Sequence, residues 1–238
     1  MKILAIGNSF SQDATRYLRE IAKSSGDSFK AINLYIGACP LRKHYLHILE
    51  DKELHEIQVN GEGTGFYTSI QTALASDRWD VVTVQQASNE SPFFEKYVPY
   101  LDLVKDTIKL YSPESKIYVH ETWAYHNDSP RLESMGFKSG AEMFEKVEDA
   151  YNKMAEYIKA DGIIPSGKLI QKLWDAGITN THRDNHHISL GVSRYATALL
   201  WYGMLVNKDI DSVPFNDFDE EVTEEEIKIV KKAVKELL

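Results

Sequence analysis

The residues best suited to covalent chemistry are a serine near the start of the chain and an aspartate and a histidine far along it. Ser9 lies in the sequence GNSFS, and Asp184 and His187 lie in the sequence DNHHIS. A spacing of three residues allows one turn of chain to bring the carboxylate to one imidazole nitrogen, which leaves the other nitrogen for a hydroxyl. These residue types predict nucleophilic catalysis, with Ser9 as nucleophile, His187 as base and Asp184 as the residue that orients the base.

Each of these segments also has an ordinary structural interpretation. Ser9 and Gln12 fit the S-x-x-Q pattern of a capping box, so the Ser9 hydroxyl could cap a helix as readily as attack a substrate. A D-x-x-H segment by itself is more typical of a solvated polar loop, and His186 and His182 are competing bases. The catalytic prediction therefore depends on the two segments occurring together in one chain.

Two further loops could supply hydrogen-bond donors to a negatively charged oxygen. One contains Gly37, and the other is the sequence QQASN at residues 85–89. Backbone N–H groups and side-chain amides are the donors that an oxyanion requires. Cys39 lies beside the first of these loops and could be a thiol nucleophile, but a small buried side chain behind a strand is the more common role.

Three further polar side chains, His126, Asp128 and His182, are candidates for a metal site. Their spacing matches no recognised set of metal ligands. We therefore predict neither a metal ion nor another cofactor.

Short apolar runs that alternate with amphipathic stretches must position these loops. Runs that predict buried strands lie at residues 1–6, 29–36, 80–85, 116–121 and 162–164. Helical patterns lie at about 13–25, 40–51, 70–76, 99–111, 139–160, 165–174, 190–206 and 223–238. This alternation predicts a parallel sheet with helices on both faces, and such sheets bind ligands at the carboxyl ends of their strands. Residues 54–69 differ, because Asn60-Gly61 between two strand-like runs predicts a small β-hairpin insertion.

The composition is that of a globular protein that buries a core. The chain has 238 residues, of which 43% are hydrophobic and 26% charged, and its length suits one α/β domain over residues 1–238. The net charge of -9 is partly concentrated in residues 217–226. This acidic balance argues against nucleic acid or an anionic membrane as a partner, because phosphates would be repelled.

The sequence carries no sign of export or of membrane insertion. The apolar run Ile3–Ile6 is shorter than the roughly 7–15 residues of a secretory signal, and no run approaches the roughly 20 residues of a membrane span. The single cysteine cannot form an internal disulfide. We therefore expect a soluble, cytoplasmic protein.

Taken together, four segments resemble the sequence blocks of the SGNH, or GDSL-type, hydrolase superfamily. GNSFS at residues 7–11 stands at the first block, Gly37 at the glycine of the second, QQASN at residues 85–89 at the third, and DNHHIS at residues 184–189 at the final D-x-x-H block. HETWAY at residues 120–125 further resembles a bacterial branch of that superfamily. The resemblance extends from residue 1 to about residue 205.

The resemblance implies a three-layer α/β/α sandwich around a flavodoxin-like parallel sheet of about five strands. It also implies that Ser9 attacks an ester carbonyl, that His187 acts first as base and then as acid, and that Asp184 orients His187. The oxyanion hole would combine the backbone N–H groups of Ser9 and Gly37 with a side-chain amide.

Two features depart from the family pattern. Asn8 stands where the first block has aspartate, which keeps hydrogen bonding but removes a charge. The third block lacks a G-x-N-D sequence; comparison with a G-E-S-N variant favours Asn89 as the oxyanion amide, with Gln86 or Ser88 as alternatives.

The substrate cleft is expected at the loops that follow the strands. We expect it to be lined by Asn8, Gln85, Trp123 and Tyr125, and an aromatic loop of this kind suits stacking on a sugar. The expected activity is a serine esterase that acts on an O-acyl ester, such as an acetyl ester of a carbohydrate or of another small metabolite. A non-catalytic binding module on the same fold and an acyltransferase are the alternatives.

Overall fold

A seven-stranded sheet forms the centre of the computed structural model, which describes residues 1–206 and 209–238. The strands are β1 Lys2–Gly7, β2 Lys30–Tyr35, β3 His55–Val59, β4 Glu62–Thr68, β5 Val81–Val84, β6 Lys116–Glu121 and β7 Gly162–Pro165. Their order across the sheet is β4-β3-β2-β1-β5-β6-β7. Strands β2, β1, β5, β6 and β7 are parallel, and β3 and β4 are antiparallel. The predicted α/β class and parallel core are confirmed.

The β-hairpin insertion accounts for the two strands beyond the expected five. Asn60 and Gly61 both have positive φ, 54° and 74°, which is the backbone conformation that an Asn-Gly turn adopts readily. Strand β3 pairs with the free edge of β2, so the hairpin extends the sheet. The sequence indicated the hairpin, but it did not indicate that the hairpin would join the main sheet.

Helices cover both faces of this sheet. They are α1 Ser9–Thr15, α2 Leu18–Ser24, α3 Leu41–Leu49, α4 Ile70–Ala75, α5 Tyr100–Tyr111, α6 Arg131–Ser134, α7 Gly140–Ile158, α8 Ser166–Asp175, α9 Val192–Val206 and α10 Glu224–Lys235, with a short 3-10 helix at Phe94–Lys96. The helix expected over residues 13–25 starts earlier and is interrupted at Arg16 and Tyr17, and α6 was not predicted. The predicted capping box of α10 is present, since Thr223 and Glu226 exchange their hydrogen bonds.

Alternation along the central strands divides the core into two layers. Ile3 and Val81 point to the layer that contains α1, α2, α8, α9 and α10, whereas Leu4 and Val82 point to the layer that contains α3, α4, α5 and α7. Successive side chains of a strand point to opposite faces, so a strand buried on both faces must be apolar at nearly every position. This arrangement gives the three-layer α/β/α sandwich. Among the described residues, none of the helices is both long enough and apolar enough to cross a membrane.

The order in which successive parallel strands are placed across the sheet reverses at β1. Strand β2 lies on one side of β1, and β5 lies on the other. Such a reversal leaves a crevice at the carboxyl ends of the strands. Gly7 ends β1 at this crevice, and a Cβ at that position would collide with the Ser11 hydroxyl oxygen. Glycine therefore allows α1 to begin directly after the strand.

Candidate active site

Ser9 is the first residue of α1, and its hydroxyl is not used to cap the helix. The N-cap is Asn8, whose Oδ1 accepts a hydrogen bond from the backbone N–H of Phe10 at 3.0 Å. The Gln12 side chain donates to the carbonyl oxygen of Gly61 at 2.9 Å instead of completing a capping box. The capping interpretation of Ser9 is therefore wrong by one residue, and the Ser9 hydroxyl faces the crevice.

Ser9, His187 and Asp184 form a continuous chain of hydrogen-bonding groups. The Ser9 Oγ lies 2.8 Å from His187 Nε2, and His187 Nδ1 lies 2.7 Å from Asp184 Oδ2. Nδ1 donates to the carboxylate in the tautomer that leaves Nε2 free to accept the Ser9 proton. Residues 178 positions apart in the sequence thus meet at one edge of the sheet.

A tight turn holds the acid and the base in this geometry. Asp184 Oδ1 accepts the backbone N–H groups of His187 at 2.7 Å and of His186 at 3.3 Å, and Asn185 between them has a φ of 66°. The carbonyl oxygen of Asn185 accepts the backbone N–H of His126 at 2.9 Å, which fastens the turn to the loop after β6. The turn is therefore fixed from within and from outside.

Hydrogen bonding keeps the Asp184 carboxylate ionised. Burial favours its neutral form, but the bonds from the His187 side chain and backbone outweigh burial and lower the pKa of Asp184 below its ordinary value. An ionised carboxylate here can stabilise a positive charge on His187 during proton transfer.

His186 is placed beside the base but does not contact the serine. Its Nδ1 lies 3.1 Å from Asp184 Oδ1, and its ring centroid lies 3.9 Å from that of His187. Burial, followed by the charge of His187, lowers the pKa of His186, so this ring is held neutral more firmly than a free histidine. Of the two neighbouring histidines, only His187 has the contacts that a base for Ser9 requires.

The side chains near the site that could bind a metal ion also take part in hydrogen bonds. Within the described ranges, the group of metal-ligating side chains that lie within mutual reach is Asp184, His186 and His187. Both nitrogens of His187 already have hydrogen-bond partners, Ser9 and Asp184. His182 donates Nε2–H to the Ala124 carbonyl oxygen and accepts from Thr181, so both of its ring nitrogens have hydrogen-bond partners within the protein.

A cavity of about 620 Å³ opens at Ser9. Its walls are formed by Asn8, Ser9, Phe10, Gln12, Tyr35, Gly37, Ala38, Ser88, Asn89, Tyr125, Arg131, Ser134, Met135, Arg183, His186 and His187. This volume lies within the range of small-molecule sites, roughly 300–1,000 Å³. The predicted nucleophile, base, glycine and amide thus border one space.

The two amides considered for an oxyanion hole have different surroundings. Asn89 is exposed and lines the cavity. Gln86 is buried, its Oε1 accepts the backbone N–H groups of Leu41 and Ala87, each at 2.9 Å, and its Nε2 donates to the Lys96 carbonyl oxygen. Gln86 therefore holds loops together and does not line the cavity, whereas Ser88, the other alternative donor, does.

Two residues expected to line the cleft lie beneath it. Gln85 is buried and donates Nε2–H to Asn8 Oδ1 at 2.8 Å, while its Oε1 accepts from Ser11 and lies 2.9 Å from His120 Nδ1. Trp123 is fully buried and stacks on Phe10, with the ring centroids 4.3 Å apart. These positions correct the expectation of substrate contact, because both side chains support the walls from behind. Asn8 and Tyr125 do line the cavity.

Sequence inspection missed a buried ion-pair cluster next to the triad. Asp13 is fully buried on α1, and its carboxylate accepts from Arg183 Nη1 at 3.0 Å and from Arg194 Nη2 at 2.7 Å. Arg183 directly precedes Asp184, so the cluster joins the helix of Ser9 to the turn of the base. The sequence signal for this cluster is the position of Asp13, which lies one helical turn before Tyr17 on the apolar face of the predicted helix.

Comparison with known proteins identifies a family whose members resemble this chain along its whole length. The model of the DUF4886 family, described as a domain of unknown function, matches residues 2–236. A crystal structure of a DUF4886 family protein from Bacteroides uniformis ATCC 8492 is 29% identical in sequence, with a TM-score of 0.90, and the alignment covers 99% of this chain and 93% of that chain. A sequence search of curated proteins finds no match.

More distant structures share the fold of the SGNH hydrolases. A proposed SGNH hydrolase from Slackia heliotrinireducens is 20% identical with a TM-score of 0.61, covering 86% of this chain and 98% of that chain. A carbohydrate acetylesterase from Sinorhizobium meliloti is 16% identical with a TM-score of 0.52, covering 87% and 98%. At these identities the likeness concerns the fold.

Proposed function

Because the chain belongs to the DUF4886 family and has the fold of the SGNH hydrolases, we propose that it is a serine esterase. The observation that carries this proposal is the hydrogen-bonded series Ser9, His187 and Asp184 at the mouth of a cavity. A series of this kind activates a hydroxyl that is a weak nucleophile on its own. The buried contacts that hold both ends of the series support a preorganised catalytic site rather than a chance meeting of polar side chains.

In the proposed reaction, His187 Nε2 accepts the proton of Ser9 while Ser9 Oγ attacks the ester carbonyl. His187 then donates that proton to the departing alcohol, which leaves the acyl group on Ser9. A water molecule next gives a proton to His187 and attacks the acyl-enzyme, and the proton returns to Ser9 as the acid departs. Asp184 remains ionised throughout and stabilises the imidazolium form of His187.

The negative oxygen of each tetrahedral intermediate requires donors on the cavity wall. We assign this role to the backbone N–H groups of Ser9 and Gly37 and to the side-chain amide of Asn89, all of which border the cavity. A single donor of this kind is typically worth about 2.7–4 kcal/mol in the rate. Asn89→Ala should therefore lower kcat by about a hundredfold or more.

The proposed substrate is a small O-acyl ester, with acetyl esters of carbohydrates or other metabolites as the first group to test. The cavity volume and the many polar side chains on its wall support a small polar alcohol. The structurally similar acetylesterase from Sinorhizobium meliloti acts on carbohydrate esters and supports the same choice. Tyr35 on the cavity wall is partly exposed and can pack against a sugar ring, whereas Trp123 and Tyr125 are fully buried.

Labelling with a fluorophosphonate probe and turnover of p-nitrophenyl acetate test the proposal together. We expect the probe to modify Ser9, and we expect Ser9→Ala to abolish both labelling and turnover. Ser134→Ala is the matched control, because Ser134 lines the same cavity but its hydroxyl donates to the Arg131 carbonyl oxygen. Equal turnover by the parent protein and Ser9→Ala would refute the proposal.

Substitution of the two neighbouring histidines tests which of them acts as the base for Ser9. His187→Gln should reduce kcat/KM to near the level of Ser9→Ala, whereas His186→Gln should retain most of the activity because His186 does not contact Ser9. A larger loss for His186→Gln would transfer the role of base to that residue. Adding alcohols or sugars and measuring the partition of the acyl group distinguishes hydrolysis from acyl transfer, which the same residues would support.

A further inference from the structure

The charged side chains on the cavity wall are arginines, and among the described residues no aspartate or glutamate lines the cavity. The two arginines are Arg131 and Arg183. This local balance contrasts with the net charge of -9 for the whole chain. A cavity whose wall carries positive charge attracts anionic ligands and repels cations.

The two arginines differ in how their charges are compensated. The guanidinium of Arg183 is paired with the buried carboxylate of Asp13 at 3.0 Å. Arg131 is exposed and, within the described part of the chain, makes no ion pair; its guanidinium carbon lies 5.8 Å from the ring centroid of Tyr125. Arg131 therefore supplies the uncompensated positive charge of the cavity, and the aromatic ring beneath it restricts its position.

Arg131 lies on the same side of the cavity as the histidines. The Tyr125 ring that it covers is 6.1 Å from the ring of His186, and the charge of Arg131 contributes to the lowered pKa of His186. In the proposed reaction the departing alcohol receives its proton from His187, so the alcohol part of the ester must lie on this side.

We propose that Arg131 selects esters whose alcohol part carries a carboxylate, for example an acetylated hydroxy acid or an acetylated acidic sugar. This inference rests on the esterase function proposed above and narrows its substrate class. The planar guanidinium can bind a carboxylate through two parallel hydrogen bonds, which a lysine cannot reproduce. The hydroxyl group of Ser88, which lies 3.0 Å from that of Tyr125, belongs to a residue on the same cavity wall.

The test uses two acetyl esters that differ in one charge, 4-acetoxybenzoate and 4-acetoxybenzamide. For Arg131→Gln we expect kcat/KM to fall about three- to tenfold for the benzoate and to stay within about twofold for the benzamide, because one charge-assisted contact is lost. Arg131→Glu should lower the benzoate value further. Arg78→Gln is the matched control, since Arg78 is exposed, precedes β5 at the opposite end of the sheet, and carries the same charge.

The outcomes separate this inference from the proposed function. Equal losses for both esters in Arg131→Gln, or an unchanged ratio between them, would overturn the selection of carboxylates while leaving the esterase in place. Binding of the product 4-hydroxybenzoate to Ser9→Ala, with and without Arg131→Gln, is measured by calorimetry in parallel. If neither ester is hydrolysed, the esterase proposal fails. Binding of 4-hydroxybenzoate that is weakened by Arg131→Gln would still support the anion site. Binding of 4-hydroxybenzoate that is absent, or unchanged by Arg131→Gln, would overturn the anion site.

Discussion

At the scale of single residues, the surroundings of Asn8 favour an amide over a carboxylate at this position. The Asn8 side chain is buried, and its Oδ1 accepts from the Phe10 backbone and from Gln85 Nε2. Gln85 in turn accepts from His120, which is neutral because burial lowers its pKa to about 3. An uncharged amide fits a network of neutral partners, whereas a buried carboxylate without a cation would be costly.

Replacing Asn8 should therefore cost both stability and activity. Asn8→Ala removes the helix cap and leaves Gln85 without an acceptor, so we expect the free energy of unfolding to fall by about 2–4 kcal/mol. We also expect kcat/KM to fall about ten- to a hundredfold, because Ser9 follows Asn8 directly and a small displacement of the nucleophile is expensive. Urea unfolding and ester turnover measure the two effects.

A second helix cap serves as the control for Asn8. Ser139 caps α7 through the backbone N–H of Glu142, away from the cavity. Ser139→Ala should lower the free energy of unfolding by about 1 kcal/mol and leave kcat/KM unchanged. Loss of activity in both variants to the same degree would mean that Asn8 affects turnover through stability alone.

At the scale of elements, Asp13 connects the two segments that the proposed reaction brings together. It lies one helical turn after Ser9 on α1, and its partners Arg183 and Arg194 belong to the turn of the base and to α9. The carboxylate is fully buried and pairs with both arginines, and Arg194 also pairs with Asp219. Asp13 is in this sense a positioning residue for the distance between Ser9 and His187.

Asp13→Asn tests this connection. We expect the free energy of unfolding to fall by about 2–4 kcal/mol, because Arg183 loses its carboxylate partner and Arg194 keeps only Asp219. Under conditions where the variant is folded, we expect fluorophosphonate labelling of Ser9 to slow about tenfold or more. Asp219→Asn is the control, since Asp219 pairs with Arg194 and Arg16 nearer the surface and should cost less than about 1 kcal/mol.

The rate of fluorophosphonate labelling distinguishes a displaced Ser9 from a loss of stability in the Asp13→Asn variant. A variant that is less stable but correctly positioned would label at the parental rate whenever it is folded. An unchanged labelling rate in Asp13→Asn would therefore assign Asp13 to stability only.

At the scale of the whole molecule, buried titratable groups give the stability a dependence on pH. Glu121 at the end of β6 is almost fully buried and accepts the backbone N–H of Lys168 at 2.9 Å. Burial raises the pKa of Glu121 to about 7. A carboxyl whose pKa is higher in the folded state stabilises the fold below its unfolded pKa and loses that contribution as the pH rises through about 7.

Glu121→Gln should remove this penalty at high pH. The variant and the parent protein should be nearly equal in stability at pH 4, and the variant should be more stable by about 3 kcal/mol at pH 8. Urea midpoints across this range measure the difference. Glu148→Gln is the control, since Glu148 is a partly exposed partner of the Lys168 ammonium group and should show no comparable gain; a constant difference between Glu121→Gln and the parent at all pH values would contradict the prediction.

Buried histidines act in the opposite direction. Burial lowers the pKa of His55 to about 4, and burial likewise lowers the pKa of His44, whose Nδ1 lies 3.1 Å from His55 Nε2. These groups stay neutral in the folded state and bind protons more readily when unfolded, so stability falls as the pH drops from about 6.5 towards 4. The Glu121 and histidine windows overlap, so their opposite contributions partly cancel between about pH 4.5 and 6.5.

Much of the architecture could be predicted from sequence because its signals are local. Strands such as β1 and β5 are continuous apolar runs, which indicates burial on both faces. Helices such as α7 have apolar residues at helical spacing, which indicates burial on one face. The Asn60-Gly61 turn is also local, since it depends on the backbone preferences of two residues. The predicted Ser9, Asp184 and His187 came from segment order and resemblance, and their side chains do meet.

Tertiary structure decided the features that depend on partners distant in sequence. Gln86 and Asn89 look alike as amides in one loop, but contacts with Leu41 and Lys96 bury one and leave the other at the cavity. The positions of Trp123 beneath the cleft and of Arg131 on its wall depend in the same way on how separate loops pack. Periodicity along a chain reports which residues are apolar, whereas the partner of a buried polar group is chosen only when the layers assemble.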